Sequence, residues 1–240
     1  MFKPLAILPV VLLEVSLGVL ETLVGTLVGL MATIRIRVFR NYDYRNWLKR
    51  DLADCESILE LGCGSNSPIL QIGDASRTDT VDIFEPYVDM HNRKGDYRHC
   101  QHADILTFDF PEKAYDAVVI CDVMEHLSRE AVKDSDLFAE MEKCARKRVI
   151  IFTPNGFIEN DLVDEDPYQV HLSAWGPVDY SDRGYKVVGA TGLRWLFGKA
   201  ALPKYRPHRA CAIISMLTKP LIFNRPEWAF HSYAVKELSK

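Results

Sequence analysis

From residue 43 onward, short apolar runs alternate with longer polar stretches, and most of the runs stop at a glycine or an acidic residue. Ser57 to Leu61, Thr80 to Phe84, His99 to Asp104, Tyr115 to Cys121 and Arg148 to Thr153 read as strands, for the most part rich in Val, Ile and Thr. Gly184 to Gly189 reads as a sixth strand, and His231 to Lys236 as the closing edge strand. Between the fourth and fifth runs, Ser128 to Lys147 is charged and sets Val132, Phe138, Met141 and Ala145 at near-helical spacing, which predicts a crossover helix. Strands alternating with helices imply a parallel sheet, and ligands of such sheets bind at the carboxyl ends of the strands. Gly62, Gly64, Asp82, Asp104, Asp122 and Thr153 would all meet there. A single Asp after a strand is commonly a turn or helix cap. A series of them at successive strand tips points to a ligand.

The first forty residues have a different pattern. Pro4 to Ile34 holds no positive charge and only two negative ones, Glu14 and Glu21. As a helix it would exceed the hydrocarbon core of a bilayer. Arg35, Arg37, Arg40 and Arg45 come directly after, which would leave the globular part on the cytoplasmic side. Glu14 and Glu21 share a face with Gly18, Gly25 and Gly29, a stripe suited to close helix contact. Three placements satisfy this pattern: an anchor or re-entrant helix over residues 5–34, a membrane-surface helix pair, or a helical hairpin buried in a homo-oligomer. The expected organisation is a hydrophobic helical segment over 1–40 and a catalytic domain over 41–240, with a basic, aromatic insertion at about 192–228. Seven Lys and Arg side chains lie between Arg194 and Pro226 with Trp195, Phe197 and Leu217 among them. That insertion would cover an acceptor site, contact a membrane surface, or simply be solvated.

Composition narrows the function. A net charge of −4 argues against a nucleic-acid partner. The six cysteines form no C-x-x-C pair, so they read as reduced cytosolic thiols. The seven histidines show no ligand spacing, and no metal site is expected.

Ile58-Leu59-Glu60-Leu61-Gly62-Cys63-Gly64, Val81-Asp82-Ile83, Ala103-Asp104-Ile105-Leu106, Tyr115 through Leu127 and Val149 through Asn155 form an ordered set. In this order they resemble the motifs of class I S-adenosylmethionine-dependent methyltransferases, in the form of small-molecule, ubiquinone-type enzymes. The resemblance covers about residues 45–190. It implies a Rossmann-like, doubly wound, seven-stranded α/β sheet, mostly parallel with an antiparallel closing strand. It implies S-adenosylmethionine as cofactor, with Gly62, Cys63 and Gly64 at its amino-acid end and Glu60 organising that turn. Asp82 and Ile83 would hold the ribose, with Glu85 as the competing carboxylate. Asp104 and Ile105 would hold the adenine, and Asp122 would line the methionine end.

One departure stands out. The third glycine of the first loop is replaced by Ser67, so the nicotinamide-type G-x-G-x-x-G fingerprint also fails. A non-catalytic module of the same fold is the alternative this raises. For catalysis, methyl transfer needs a base only where the acceptor must lose a proton. His126 and His171 are the candidates, and each also reads as a packing histidine. The expected reaction is methyl transfer to a small-molecule or lipid-linked acceptor at the cytoplasmic membrane face.

Overall fold

The strands track the apolar runs closely. In the computed structural model, which describes residues 40–160, 166–199, 202–206 and 208–238, seven strands form one sheet in the order β3-β2-β1-β4-β5-β7-β6. They are β1 (Ile58–Leu61), β2 (Thr78–Asp82), β3 (His99–His102), β4 (Tyr115–Cys121), β5 (Ala145–Pro154), β6 (Lys186–Leu193) and β7 (Ala229–Glu237). The helices are α1 (Tyr44–Asp51), α2 (Pro68–Ile72), α3 (Glu85–Lys94), α4 (Arg129–Asp134), α5 (Leu137–Cys144), α6 (Pro177–Ser181), α7 (His208–Leu217) and α8 (Lys219–Phe223).

Alternation along each strand builds two apolar layers, one per sheet face. Leu59, Leu61, Val118, Ile120, Val149 and Ile151 pack with Phe138 and Met141 of α5 on one side. Ile58, Ala117, Val119, Ile150 and Phe152 pack with Trp47 and Leu48 of α1 on the other. The parallel register sets Leu61 level with Val81 and with Ile120, so Gly62, Asp82 and Cys121 occupy the next row together. That row is the floor of the site.

Two expectations need correction. β7 is not an edge strand: it lies between β5 and β6 and runs antiparallel to both, leaving β6 at the edge. The stretch 128–147 is not one helix. Ser128 caps α4, its Oγ accepting the Ala131 N–H, and Asp136 then takes a left-handed φ of 51° before α5 begins. That conformation disfavours helix continuation and lets α5 turn Leu137, Phe138 and Met141 into the core.

The apolar segment 5–34 lies outside the described residues. Among those described, no helix is long and apolar enough to cross a membrane.

Candidate active site

The loop after β1 shows why two glycines are needed and the third is not. Gly62 has φ +79°, and a Cβ there would collide with Val123 Cγ2. Gly64 has φ +52° with open space where its Cβ would be. Their N–H groups are both taken up within the protein. Gly62 donates to the Val81 carbonyl at 2.8 Å and Gly64 to Asp82 Oδ2 at 2.9 Å. The glycines therefore contribute shape and clearance, while the carboxylate of Asp82 ties the loop to β2.

Ser67 occupies the third-glycine position and caps α2, its Oγ accepting the Leu70 N–H at 3.3 Å. The same hydroxyl donates to Glu60 Oε2 at 3.1 Å and lies 2.8 Å from the Tyr97 hydroxyl. A glycine could do neither. Glu60 is fully buried, and among the described residues its Oε1 has no hydrogen-bond partner. Burial pushes its carboxyl up to about 8, against the opposing hydrogen bonds from Tyr97 and Ser67.

A cavity of about 550 Å³ opens over the strand tips, within the range usual for small-molecule sites. Gly62, Cys63, Gly64, Asp82, Ile83, Asp104, Ile105 and Asp122 all line it. Glu60 does not; it sits beneath the loop. Asp82 Oδ1 accepts the Phe84 N–H at 2.9 Å, and the Cys63 thiol donates to Oδ2 at 3.6 Å. Asp104 accepts the Leu106 N–H at 2.9 Å, which sets Ile105 against the cavity. Glu85, at the start of α3, is exposed and does not line the cavity. Asp122 comes directly after β4 with a left-handed φ of 51°, its N–H bonded to the Phe152 carbonyl at 2.8 Å. The residues thus fit the methyl donor: carboxylates at two successive strand tips, an apolar side chain beside the second, and clearance at Gly64.

A second cavity of about 200 Å³ shares Asp122, His126 and Gln169 with the first. Here the two candidate bases come together, 45 residues apart in sequence but with ring centroids 4.7 Å apart. His126 Nδ1 meets the Val170 carbonyl at 3.2 Å, and His171 Nδ1 meets the Ile158 carbonyl at 2.6 Å. Both imidazoles are held neutral. Burial, then the neighbouring His171, lowers His126 to about 4, and burial lowers His171.

Two residues of this cavity escaped sequence reasoning. Glu125 is 3% exposed; its carboxylate accepts from Thr153 Oγ1 at 3.1 Å, and its carbonyl takes the Leu172 and Ser173 N–H groups. Burial, then Asp122, raises its pKa well above the usual carboxylate range. His231, on β7, is stacked on Phe152 and bonded through Nδ1 to Thr191 Oγ1 at 2.7 Å, with Nε2 3.6 Å from Asp122 Oδ1. Glu125 could have been found from its place beside His126; nothing in the sequence flags His231. The expectation of no metal-ligand group also changes. One ligand atom each from Glu125, His126 and His171 lie within 4.8 Å of one another, a grouping that sequence spacing hides.

Tyr168 lines the larger cavity and is half exposed. Trp175 is core: its Nε1–H donates to the Met124 carbonyl at 2.8 Å. Asn155, directly after β5, is 2% exposed and lines neither cavity.

Residues 59–153 match the family model of a methyltransferase domain. No curated protein matches the chain. Among solved structures, a S-adenosylmethionine-dependent methyltransferase from Archaeoglobus fulgidus is similar at TM-score 0.50 and 16% identity, over 81% of this chain and 94% of its own. The N-methyltransferase NodS from Bradyrhizobium japonicum is similar at TM-score 0.51 and 12% identity, over 85% of this chain and 98% of its own. A phosphoethanolamine N-methyltransferase from Haemonchus contortus, solved with S-adenosylhomocysteine, is similar at TM-score 0.50 and 14% identity, over 80% of this chain and 52% of its own. These likenesses establish the fold, and the family match covers its motif-bearing part from β1 to β5. Residues 59–153 thus match a methyltransferase domain, on a fold shared with S-adenosylmethionine-dependent methyltransferases.

Proposed function

We propose that this enzyme methylates a small-molecule or lipid-linked acceptor at the cytoplasmic face of a membrane. The observation that carries the reading is the second cavity, which meets the cofactor cavity at Asp122 and His126. S-adenosylmethionine supplies a methyl group already activated on a sulfonium, so positioning accounts for much of the catalysis. In this reading Asp82, Asp104 and Ile105 orient the nucleoside, and Asp122 marks the end where the methyl group is presented. His126 and His171, neutral near pH 7, face the acceptor and ease loss of its proton.

A lipid-linked acceptor is favoured by two features. Residues 5–34 are apolar and precede four arginines, at 35, 37, 40 and 45. The β6–β7 connection also exposes Trp195, Leu202, Tyr205 and Leu217 among basic residues. Both suit an anionic lipid surface, while residues 5–34 also suit a homo-oligomer interface.

The experiment is transfer of a labelled methyl group to fractionated membrane lipids and to soluble metabolites, with co-sedimentation on anionic vesicles. Label in the lipid fraction together with vesicle binding is expected. Label only in soluble metabolites and no vesicle binding would remove the membrane part of the reading.

A further inference from the structure

Glu125, His126 and His171 do more than line the acceptor cavity. We infer that they hold a divalent transition-metal ion, which binds and activates an oxygen nucleophile of the acceptor.

Several independent observations converge on this grouping. The ligand atoms already lie within 4.8 Å of one another. Ligands at ~2.1 Å from an ion stand ~3.5–4.2 Å apart, so side-chain rotations on the order of an ångström close the site. Each imidazole has its Nδ1 against a main-chain carbonyl, Val170 for His126 and Ile158 for His171. With the proton on Nδ1, the lone pair of Nε2 is free, which is how protein carbonyls orient metal-binding histidines. Thr153 Oγ1 fixes one carboxylate oxygen of Glu125 in the same way.

Charge points in the same direction. Glu125 is almost fully buried, Asp122 lines the same cavity, and among the described residues neither has a Lys or Arg within 4 Å. The His231 Nε2 lies 3.6 Å from Asp122 Oδ1. A buried carboxylate without a cationic partner is costly, and a bound cation removes that cost. Two imidazoles and one carboxylate suit first-row transition metals rather than Mg²⁺ or Ca²⁺. Three protein ligands leave coordination positions open toward the cavity.

This deepens the proposed methyl transfer and rests on it. With a hydroxyl of the acceptor on the metal, its O–H proton passes to water and the oxygen keeps the electron pair. That pair forms the bond to the methyl carbon as the carbon–sulfur bond breaks, and the sulfonium becomes a neutral thioether. The acceptor class is therefore one with a chelating or acidic hydroxyl. In this assignment the two histidines act on the acceptor through the ion rather than as bases themselves.

The test is titration of tag-free, chelator-stripped, reduced full-length protein with Co²⁺, monitored by its visible absorption and by calorimetry. S-adenosylhomocysteine affinity is measured on each sample as a check of folding and of the donor site. One Co²⁺ per chain with weak d–d bands is expected. His171→Ala and Glu125→Gln should weaken binding by at least the ~10–100-fold that loss of an outer-shell partner costs, while the exposed-strand control His99→Ala binds as wild type. The proposal is overturned if folded protein that binds S-adenosylhomocysteine takes up no Co²⁺. It is equally overturned if His171→Ala and Glu125→Gln bind Co²⁺ as wild type, or if intense charge-transfer bands show thiolate ligation instead. Loss of S-adenosylhomocysteine binding in the wild type would count against the methyltransferase reading and not against the metal.

Discussion

Asp82 carries two tasks on one carboxylate. Its carboxylate takes the Gly64 and Phe84 N–H groups and also lines the cofactor cavity. Hydrogen bonds to a charged acceptor are worth about 1.5–3 kcal/mol, so Asp82→Ala is expected to weaken S-adenosylmethionine binding by ~10–100-fold. Isothermal titration of the variant beside wild type measures this; unchanged affinity would move the ribose site elsewhere. Glu60 gives a pH prediction. Its carboxyl is raised from an ordinary value of 4.5 to about 8 in the folded protein by burial. The folded state therefore retains the proton that the unfolded chain releases. The stabilising contribution is complete below pH 4.5 and declines as pH rises toward 8. At about 1.4 kcal/mol per unit the total is on the order of 5 kcal/mol. Denaturant midpoints from pH 5 to 8 should fall more steeply for wild type than for Glu60→Gln. Parallel profiles would mean that Glu60 is ionised in the fold.

At the scale of elements, the tip of β5 is fastened to the segment just after α8. Asn155 Nδ2 donates to the Pro226 and Ala229 carbonyls, each at 2.8 Å, and Ser232 Oγ donates to its Oδ1. Asn155→Ala would leave two carbonyls and a hydroxyl without their partner, at about 1–3 kcal/mol per buried group. A lowered melting temperature with near-normal S-adenosylhomocysteine affinity is expected; an unchanged melt would mean that water replaces the amide. The strand tips were legible in the sequence because each acidic residue or glycine directly ends an apolar run, and chain order alone decides which residue sits at a strand's end. The illegible parts depend on contacts between distant segments. His231 reaches Asp122 only because β7 is inserted beside β5, and His171 reaches His126 through a loop whose path no periodicity encodes. The break between α4 and α5 rests on a single backbone conformation at Asp136, whose neighbours continue the helical pattern. Ser67 reads as a defect in a glycine loop until its hydroxyl is seen to bridge α2 and Glu60.

For the whole molecule, the position of β7 sets the order in which the sheet can be completed. β5 and β6 do not pair with each other; each pairs only with β7 on that side. During synthesis every strand from β1 to β6 leaves the ribosome before the strand that joins the last two. Until Ala229–Glu237 arrives, β5 presents an open edge of buried-type residues, Val149 to Phe152, and β6 has no sheet to join. Such an edge is a template for pairing with another nascent chain. Chains ended before Ala229 should therefore collect in the insoluble fraction even though the first loop, Asp82, Asp104 and the histidine pair are all present. A synthetic β7 peptide supplied in trans should recover part of the soluble protein. The last of the seven described strands then acts as the checkpoint of assembly: the methyl-donor floor is encoded early, but it becomes a durable surface only when β7 closes the gap.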